Sequence, residues 1–312
     1  MSRSIFVLAF MALVSVSGAA EARTMNGFDL TDATIPVRSI ESGGPPRDGI
    51  PSIDNPKFVS AAEADFLKPD DRVIGIEIAG QPKAYPIAIL NWHEVVNDRS
   101  GTQHFVVTYC PLCGSGMVFA SNVADGALIL GVSGLLYNSD VLLFDRETES
   151  LWSQILGKAV SGPLSGTPLP QLPAFHTTWA DWRTRHPETQ VLSTDTGYHR
   201  DYRSSPYGGY EKSPRLFFRV ANRAPKDYHP KAWVIGVEVD GVHKAYPFEE
   251  LKARGLERFE DVVNDKPVVV HWNQAASSAW ITDDRGRDLP SITAFWFAWY
   301  AFFPETLIFK AG

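Results

Sequence analysis

Cys110 and Cys113 are the only thiols among 312 residues, and they share one short stretch, Tyr109-Cys-Pro-Leu-Cys-Gly-Ser115. Thiolates are soft ligands and strong nucleophiles, so such a pair supports metal binding, thiol redox or cysteine catalysis, or a disulfide. The Cys-Pro-x-Cys-Gly order is that of the metal knuckle in zinc ribbons and rubredoxins, where proline and glycine bend the backbone so that both sulfurs converge on one ion. It is half of a closed site: zinc wants four ligands, and histidines or carboxylates from elsewhere must complete them. A disulfide across so small a loop would add only about 2 kcal/mol, which makes it a poor staple. Gly114 stands where a haem-attaching CxxCH needs histidine, so c-type haem is disfavoured.

His93 is the first candidate for a third ligand or a general base. It lies in Asn91-Trp-His-Glu-Val-Val-Asn-Asp98, separated from the cysteine strand by a short turn at Asn97–Gly101. If Glu94-Val-Val96 pairs antiparallel with Val106-Val-Thr108, strands about 4.8 Å apart bring imidazole and thiol together. The metal reading takes Cys110, Cys113 and His93 as ligands to zinc or copper. The thiol-enzyme reading takes Cys110 or Cys113 as nucleophile and His93 as base, oriented by Glu94 or Asp98. His104, His176 and Asp140 are the reserves. A third reading is a non-catalytic ligand-binding or structural protein.

The elements that must position these groups read as strands. Val106–Tyr109 is β-branched or aromatic, the cysteines form a turn, and Met117-Val-Phe119 resumes a strand. The thiols therefore sit on a β-turn, not at the helix N-terminus that activates them in thioredoxin-like proteins. Around this lies an internal repeat. Val73-Ile-Gly-Ile-Glu-Ile and Lys83-Ala-Tyr-Pro86 match Val234-Ile-Gly-Val-Glu-Val and Lys244-Ala-Tyr-Pro247 as two β-hairpins. Glu94–Asp98 matches Asp261–Asp265, Phe105–Tyr109 matches Val268–Trp272, and Trp179-Ala-Asp-Trp182 matches Trp296-Phe-Ala-Trp299, one helical face in each copy. This alignment sets Asn273 opposite Cys110, Ala276 opposite Cys113 and Glu260 opposite His93. Residues found only in the first copy are not demanded by the shared scaffold, which points to chemistry.

Between its matching ends the first copy carries an added β-layer. It reads as a strand to Gly131, a tight Ser133-Gly134 bend, a strand Val141–Phe144, a polar turn Asp145–Ser150 and a strand from Leu151; Ser133, Asn138, Asp140 and Gln154 could line a pocket. Ser60-Ala-Ala-Glu63 carries a capping-box signal for a short helix to Leu67. The expected fold is mainly β (α+β), with antiparallel sheets, a few short helices and an unequal tandem duplication. Its divisions are a signal peptide at 1–22, an extended segment at 23–70, the first repeat at 71–195, a connecting loop at 196–230 and the second repeat at 231–312.

Met1-Ser-Arg3, the apolar run Ile5–Val14 and Ala20-Glu-Ala22 form the parts of a secretory signal peptide, so the protein is expected in the periplasm or secreted. The net charge of −7 argues against nucleic acid, and no later segment approaches a membrane span. A metal ion or small molecule is the expected partner.

Asp48-Gly-Ile-Pro, Trp92-His-Glu-Val-Val-Asn-Asp98, Tyr109-Cys-Pro-Leu-Cys-Gly-Ser115, Phe144–Gln154 and Pro206-Tyr-Gly-Gly-Tyr210 resemble a family of exported microbial proteins, domain of unknown function 3179. The resemblance covers most of the chain after the signal peptide and implies no activity.

Overall fold

The computed structural model describes residues 23–123 and 126–312, and the expected signal peptide lies outside them. Its four α-helices are α1 (Ile87–His93), α2 (Trp179–Arg185), α3 (Phe248–Arg254) and α4 (Trp296–Phe302). The rest of the regular structure is mainly antiparallel sheet.

The two halves run through the same elements in the same order. Arg72–Ile78 pairs with Gln81–Pro86 and Trp233–Val239 with Val242–Pro247, with Gly75 opposite Ala84 and Gly236 opposite Ala245. Pro86 and Pro247 then open α1 and α3, where a missing N–H costs nothing. A three-stranded meander follows in each half: Val95–Ser100, Gln103–Cys110 and Ser115–Ala120, then Arg258–Val263, Lys266–Asn273 and Ser278–Asp283. A strand antiparallel to the hairpin, the Trp-x-x-Trp helix and a short parallel strand close each half. Helix α4 is a core helix, burying Trp296, Phe297, Ala298, Trp299 and Ala301.

The meanders are exchanged between the halves. Ser115–Ala120 joins the second half's sheet where Gly116 faces Thr293, and the first meander thereby extends that sheet. Reciprocally, the second meander lies along Phe175–Thr178, with Asn273 donating to Asp181 at 2.9 Å and Arg72 to the Ala276 carbonyl at 2.6 Å. The Cys-Pro-Leu-Cys turn thus stands at the seam, and Phe295 N–H donates to the Cys113 carbonyl at 2.8 Å.

Three expectations from sequence need correction. Asp98 faces Phe105 and Asp261 faces Val268, and each aspartate meets its hairpin lysine, Lys83 at 2.7 Å and Lys244 at 2.6 Å. Asp98 therefore corresponds to Asp261 and not to Asp265. His93, the last residue of α1, corresponds to Arg254, the last of α3, and not to Glu260. Second, the bend at Ser133-Gly134 is a bulge within a continuous strand, Leu130–Tyr137; the tight turn is Asn138-Ser139, both with positive φ, before Asp140–Asp145. Third, Ser60 and Glu63 make their capping contacts, Oγ to Oε2 at 2.7 Å, but turns follow instead of a helix. With Pro69 so near, a single turn would not repay helix nucleation.

The added layer orders Lys158–Ser161, Leu151–Ser153, Asp140–Asp145 and Leu130–Tyr137, with Ile40–Ser42 of the N-terminal segment at its edge. It packs on the seam, and one apolar core runs through Cys110, Cys113, Met117, Trp152 and Phe295.

Trp182 and Trp299 lie flat against Gly75 and Gly236, and each indole N–H donates at 2.9 Å to a threonine, Thr189 or Thr306. A Cβ at either glycine would enter the indole ring. Gly75→Ala and Gly236→Ala should each cost about 1–3 kcal/mol in denaturant unfolding, as overpacking does. If either is neutral, the two glycines do not do the same job.

Candidate functional site

The site is built where the Cys-Pro-Leu-Cys turn meets the tip of the inserted hairpin. The strand Gln103–Cys110 ends at the turn, which Cys113 N–H closes onto the Cys110 carbonyl at 3.1 Å. Gly114 then reverses the chain at φ +63°, where a Cβ would strike Trp233. Both sulfurs are free thiols, and both residues are almost wholly buried. Against them comes the Asn138-Ser139 turn, whose Ser139 carbonyl lies 3.3 Å from Cys113 Sγ and 3.8 Å from Cys110 Sγ.

The next residue, Asp140, brings a third potential ligand atom. An oxygen of the Asp140 carboxylate and the two sulfurs all lie within 4.8 Å of one another, a spacing that could hold a metal ion. Asp140 is aimed by Ile155 N–H, which donates to Oδ2 at 3.1 Å. Behind the thiols, Gln154 receives Ser115 Oγ–H at 2.6 Å and donates to Thr108 Oγ1 at 2.8 Å, locking the strand that carries Cys110.

His93 is not one of the converging ligand atoms. Its Nδ1 lies 2.8 Å from the Pro51 carbonyl, which can only accept, so Nδ1 carries the proton; Nε2 accepts from Tyr202 Oη at 2.7 Å. Both ring nitrogens are engaged away from the thiols. The cause is local: α1 ends at His93, and Glu94 takes a left-handed conformation, φ 58°. Val95 and Val96 do pair with Thr108 and Val107, but the reversal leaves Glu94, not His93, facing the cysteines. Glu94 does not orient His93; it accepts from Tyr207 Oη at 3.0 Å. Asp98 is held by Lys83 and Tyr85 and orients nothing at the site.

Trp92, His93 and Glu94 each grip the connecting segment, through the Ser204 carbonyl, Tyr202 and Tyr207 respectively. That segment is an ordered loop over the site. It brings Tyr210 onto the centre, with a buried hydroxyl that has no hydrogen-bond partner among the described residues, like Ser139 Oγ. Of the reserves, His104 lies six residues before Cys110 in the same strand, about 20 Å away. His176 lines a cleft beside the turn and is not in the ligand group.

Among the pocket residues expected from sequence, Asp140 and Gln154 reach the site. Asn138 braces its turn by accepting from Ala221 N–H at 2.8 Å, and Ser133 stays within the bulge. Tyr207, Tyr210, Thr108 and Ser115 were not singled out by sequence reasoning, although the Pro206-Tyr-Gly-Gly-Tyr210 motif was the available signal for two of them.

Burial governs the electrostatics. Desolvation pushes Asp140 up to about 7, against hydrogen bonds from Ile155 and Val141, and pushes Glu94 up to about 7, against Tyr207. The same cause raises the Cys110 thiol and lifts Cys113 well above the ordinary range. Four buried weak acids therefore act on one another, and each ionised neighbour disfavours the next.

Fold and site together define a two-half β protein with a buried dithiol–carboxylate centre under an inserted hairpin and a loop. The family model described as "Protein of unknown function (DUF3179)" matches residues 47–288, and the chain belongs to this family. No curated protein and no solved structure matches the chain.

The raised carboxylates set a pH dependence. In the unfolded chain these groups lose their protons near pH 4, while the metal-free folded chain keeps them to about pH 7. The folded state thus binds more protons, and its stability should fall as pH rises between those values. Thermal melts of chelator-treated protein at pH 5 and pH 8 should show this loss, and Asp140→Asn should reduce it. An identical pH profile in the variant would remove Asp140 from the buried cluster.

Proposed function

We propose that this is an exported metal-binding protein whose centre is Cys110, Cys113 and Asp140. The observation that carries the reading is the convergence of two thiol sulfurs and one carboxylate oxygen within 4.8 Å, all buried. Burying so many potential negative charges is unfavourable unless protons or a cation neutralise them, and a divalent ion does so while gaining three ligands. Zinc suits the set best, since it accepts thiolate and carboxylate together; Cu(I) matches the thiolates but not the hard oxygen. Three protein ligands leave a fourth position open, the pattern of zinc sites that bind a further small ligand.

The thiol-enzyme reading has less support. Burial raises both thiols instead of lowering them, and His93, the expected base, is committed to Pro51 and Tyr202. A reactive cysteine needs the opposite environment.

Protein purified without chelator should carry one zinc per chain by elemental mass spectrometry. Cys110→Ala, Cys113→Ala and Asp140→Ala should each lower this sharply, while His93→Ala should keep the metal and loosen the connecting loop. Affinity should weaken in acid, where protons compete for the thiolates. Wild-type metal content in a variant lacking all three ligands would defeat the proposal. Copper in place of zinc would keep the centre and change the ion.

A further inference from the structure

A cleft of about 270 Å³ opens beside the Cys-Pro-Leu-Cys turn, and its walls hold polar side chains with unused hydrogen-bonding capacity. Arg72 is the one Arg or Lys lining it. Its guanidinium donates to the carbonyls of Ala276 at 2.6 Å, Ser277 at 3.2 Å and His176 at 2.6 Å. No carboxylate forms an ion pair with it among the described residues. A half-buried guanidinium held on neutral carbonyls keeps its positive charge, Asp181 acts on it only through space, and Glu211, the one acid lining the cleft, is exposed at the rim.

His176 adds an independent observation. It lines the same cleft, is 4% exposed, and makes no side-chain hydrogen bond among the described residues; its Nδ1 is sealed from solvent without a partner. A sealed nitrogen is least costly as a bare lone pair, which leaves the ring proton on Nε2 as a donor. The Tyr109 hydroxyl and the Asn91 amide also line the cleft, and neither is engaged by another described side chain. Tyr109 and Trp233 stand edge-on to the His176 ring at 6.2 and 5.1 Å between centroids, and Phe295 packs on Trp233 at 4.6 Å. Convergent unsatisfied donors over an aromatic floor are the mark of a small-molecule site.

We propose that this cleft binds a small monocarboxylate with a flat apolar body, its carboxylate on Arg72 and His176 and its body against Trp233, Phe295 and Tyr109. One charge is favoured: Arg72 is the single cation lining the cleft and has no direct ion-pair partner among the described residues, while Glu211 at the rim repels a dianion. The cleft is smaller than those that enclose drug-sized ligands, which limits the body to about one ring. Pro111, Tyr207 and Tyr210 belong to this cleft and also cover the thiols, so the ligand would sit next to the metal centre. The site itself uses none of the three proposed metal ligands and does not depend on that reading.

Benzoate is the probe, with benzamide as its neutral isostere, each titrated into the full chain by ligand-observed NMR. Benzoate should bind saturably in the millimolar range or tighter, and benzamide at least about tenfold more weakly, because a charge-assisted hydrogen bond is lost. Arg72→Gln should remove that preference. Since Arg72 also ties two segments together, His176→Phe serves as the second variant: it keeps the ring, loses the donor, and should weaken benzoate without unfolding the protein. Binding should persist in Cys113→Ser protein, which separates this cleft from the metal centre. Equal affinity for benzoate and benzamide, or no saturable binding, would overturn the proposal, as would loss of benzoate binding on removal of the metal ligands alone.

Discussion

Two thiols and two carboxylates buried side by side are the constraint to which this structure answers. In a low-dielectric pocket Cys110, Cys113, Asp140 and Glu94 cannot all ionise without a cation, and all four are pushed toward their neutral forms. Keeping them there takes support from several directions. Gln154 ties Thr108 to Ser115 behind the thiols, Ile155 aims Asp140, and Tyr207 caps Glu94. These supports come from the cysteine strands, the inserted layer and the connecting loop, so the centre exists only when all three have docked.

The duplication explains how such a centre could be added without endangering the fold. Each half offers a turn to the other, the Cys113 carbonyl accepting from Phe295 of the second half's closing strand and the Ala276 carbonyl from Arg72 of the first half's hairpin. In the second half Asn273 occupies the place of Cys110 and spends its side chain on the seam, bonding Asp181 and capping its own turn through Ala276 N–H. The scaffold therefore needs a turn there but not cysteines. Only the first turn is covered by an inserted hairpin.

The Trp92-His93-Glu94 stretch has a different role from the one its composition suggests. Three consecutive side chains fasten the connecting loop, and His93 adds a bond to Pro51 in the N-terminal segment. That segment is itself built in: Ile53 pairs beside Val96, while Asp48 and Asp54 meet Arg146 of the inserted layer. The motifs Asp48-Gly-Ile-Pro, Trp92–Asp98, Phe144–Gln154 and Pro206–Tyr210, distant along the chain, become neighbours around one buried centre.

What the sequence determined by itself was local and repetitive. Alternating β-branched residues specified the strands, Pro and Gly specified the cysteine turn, and the recurring hairpin and Trp-x-x-Trp patterns specified a mainly β protein of two like halves. The matched Val-Val-Asn-Asp stretches are out of structural register, and strand pairing shows that Asp98 answers to Asp261. Likewise, spacing brought His93 near the cysteine strand but could not say which way its ring points. That depends on one left-handed residue, Glu94, which turns the chain between helix and strand. Asp140 enters the site because the twist of a two-residue turn, Asn138-Ser139, folds a hairpin some thirty residues downstream back over the thiols. Sequence carries side-chain periodicity within an element, whereas the convergence of acids from separate elements is set by how those elements pack.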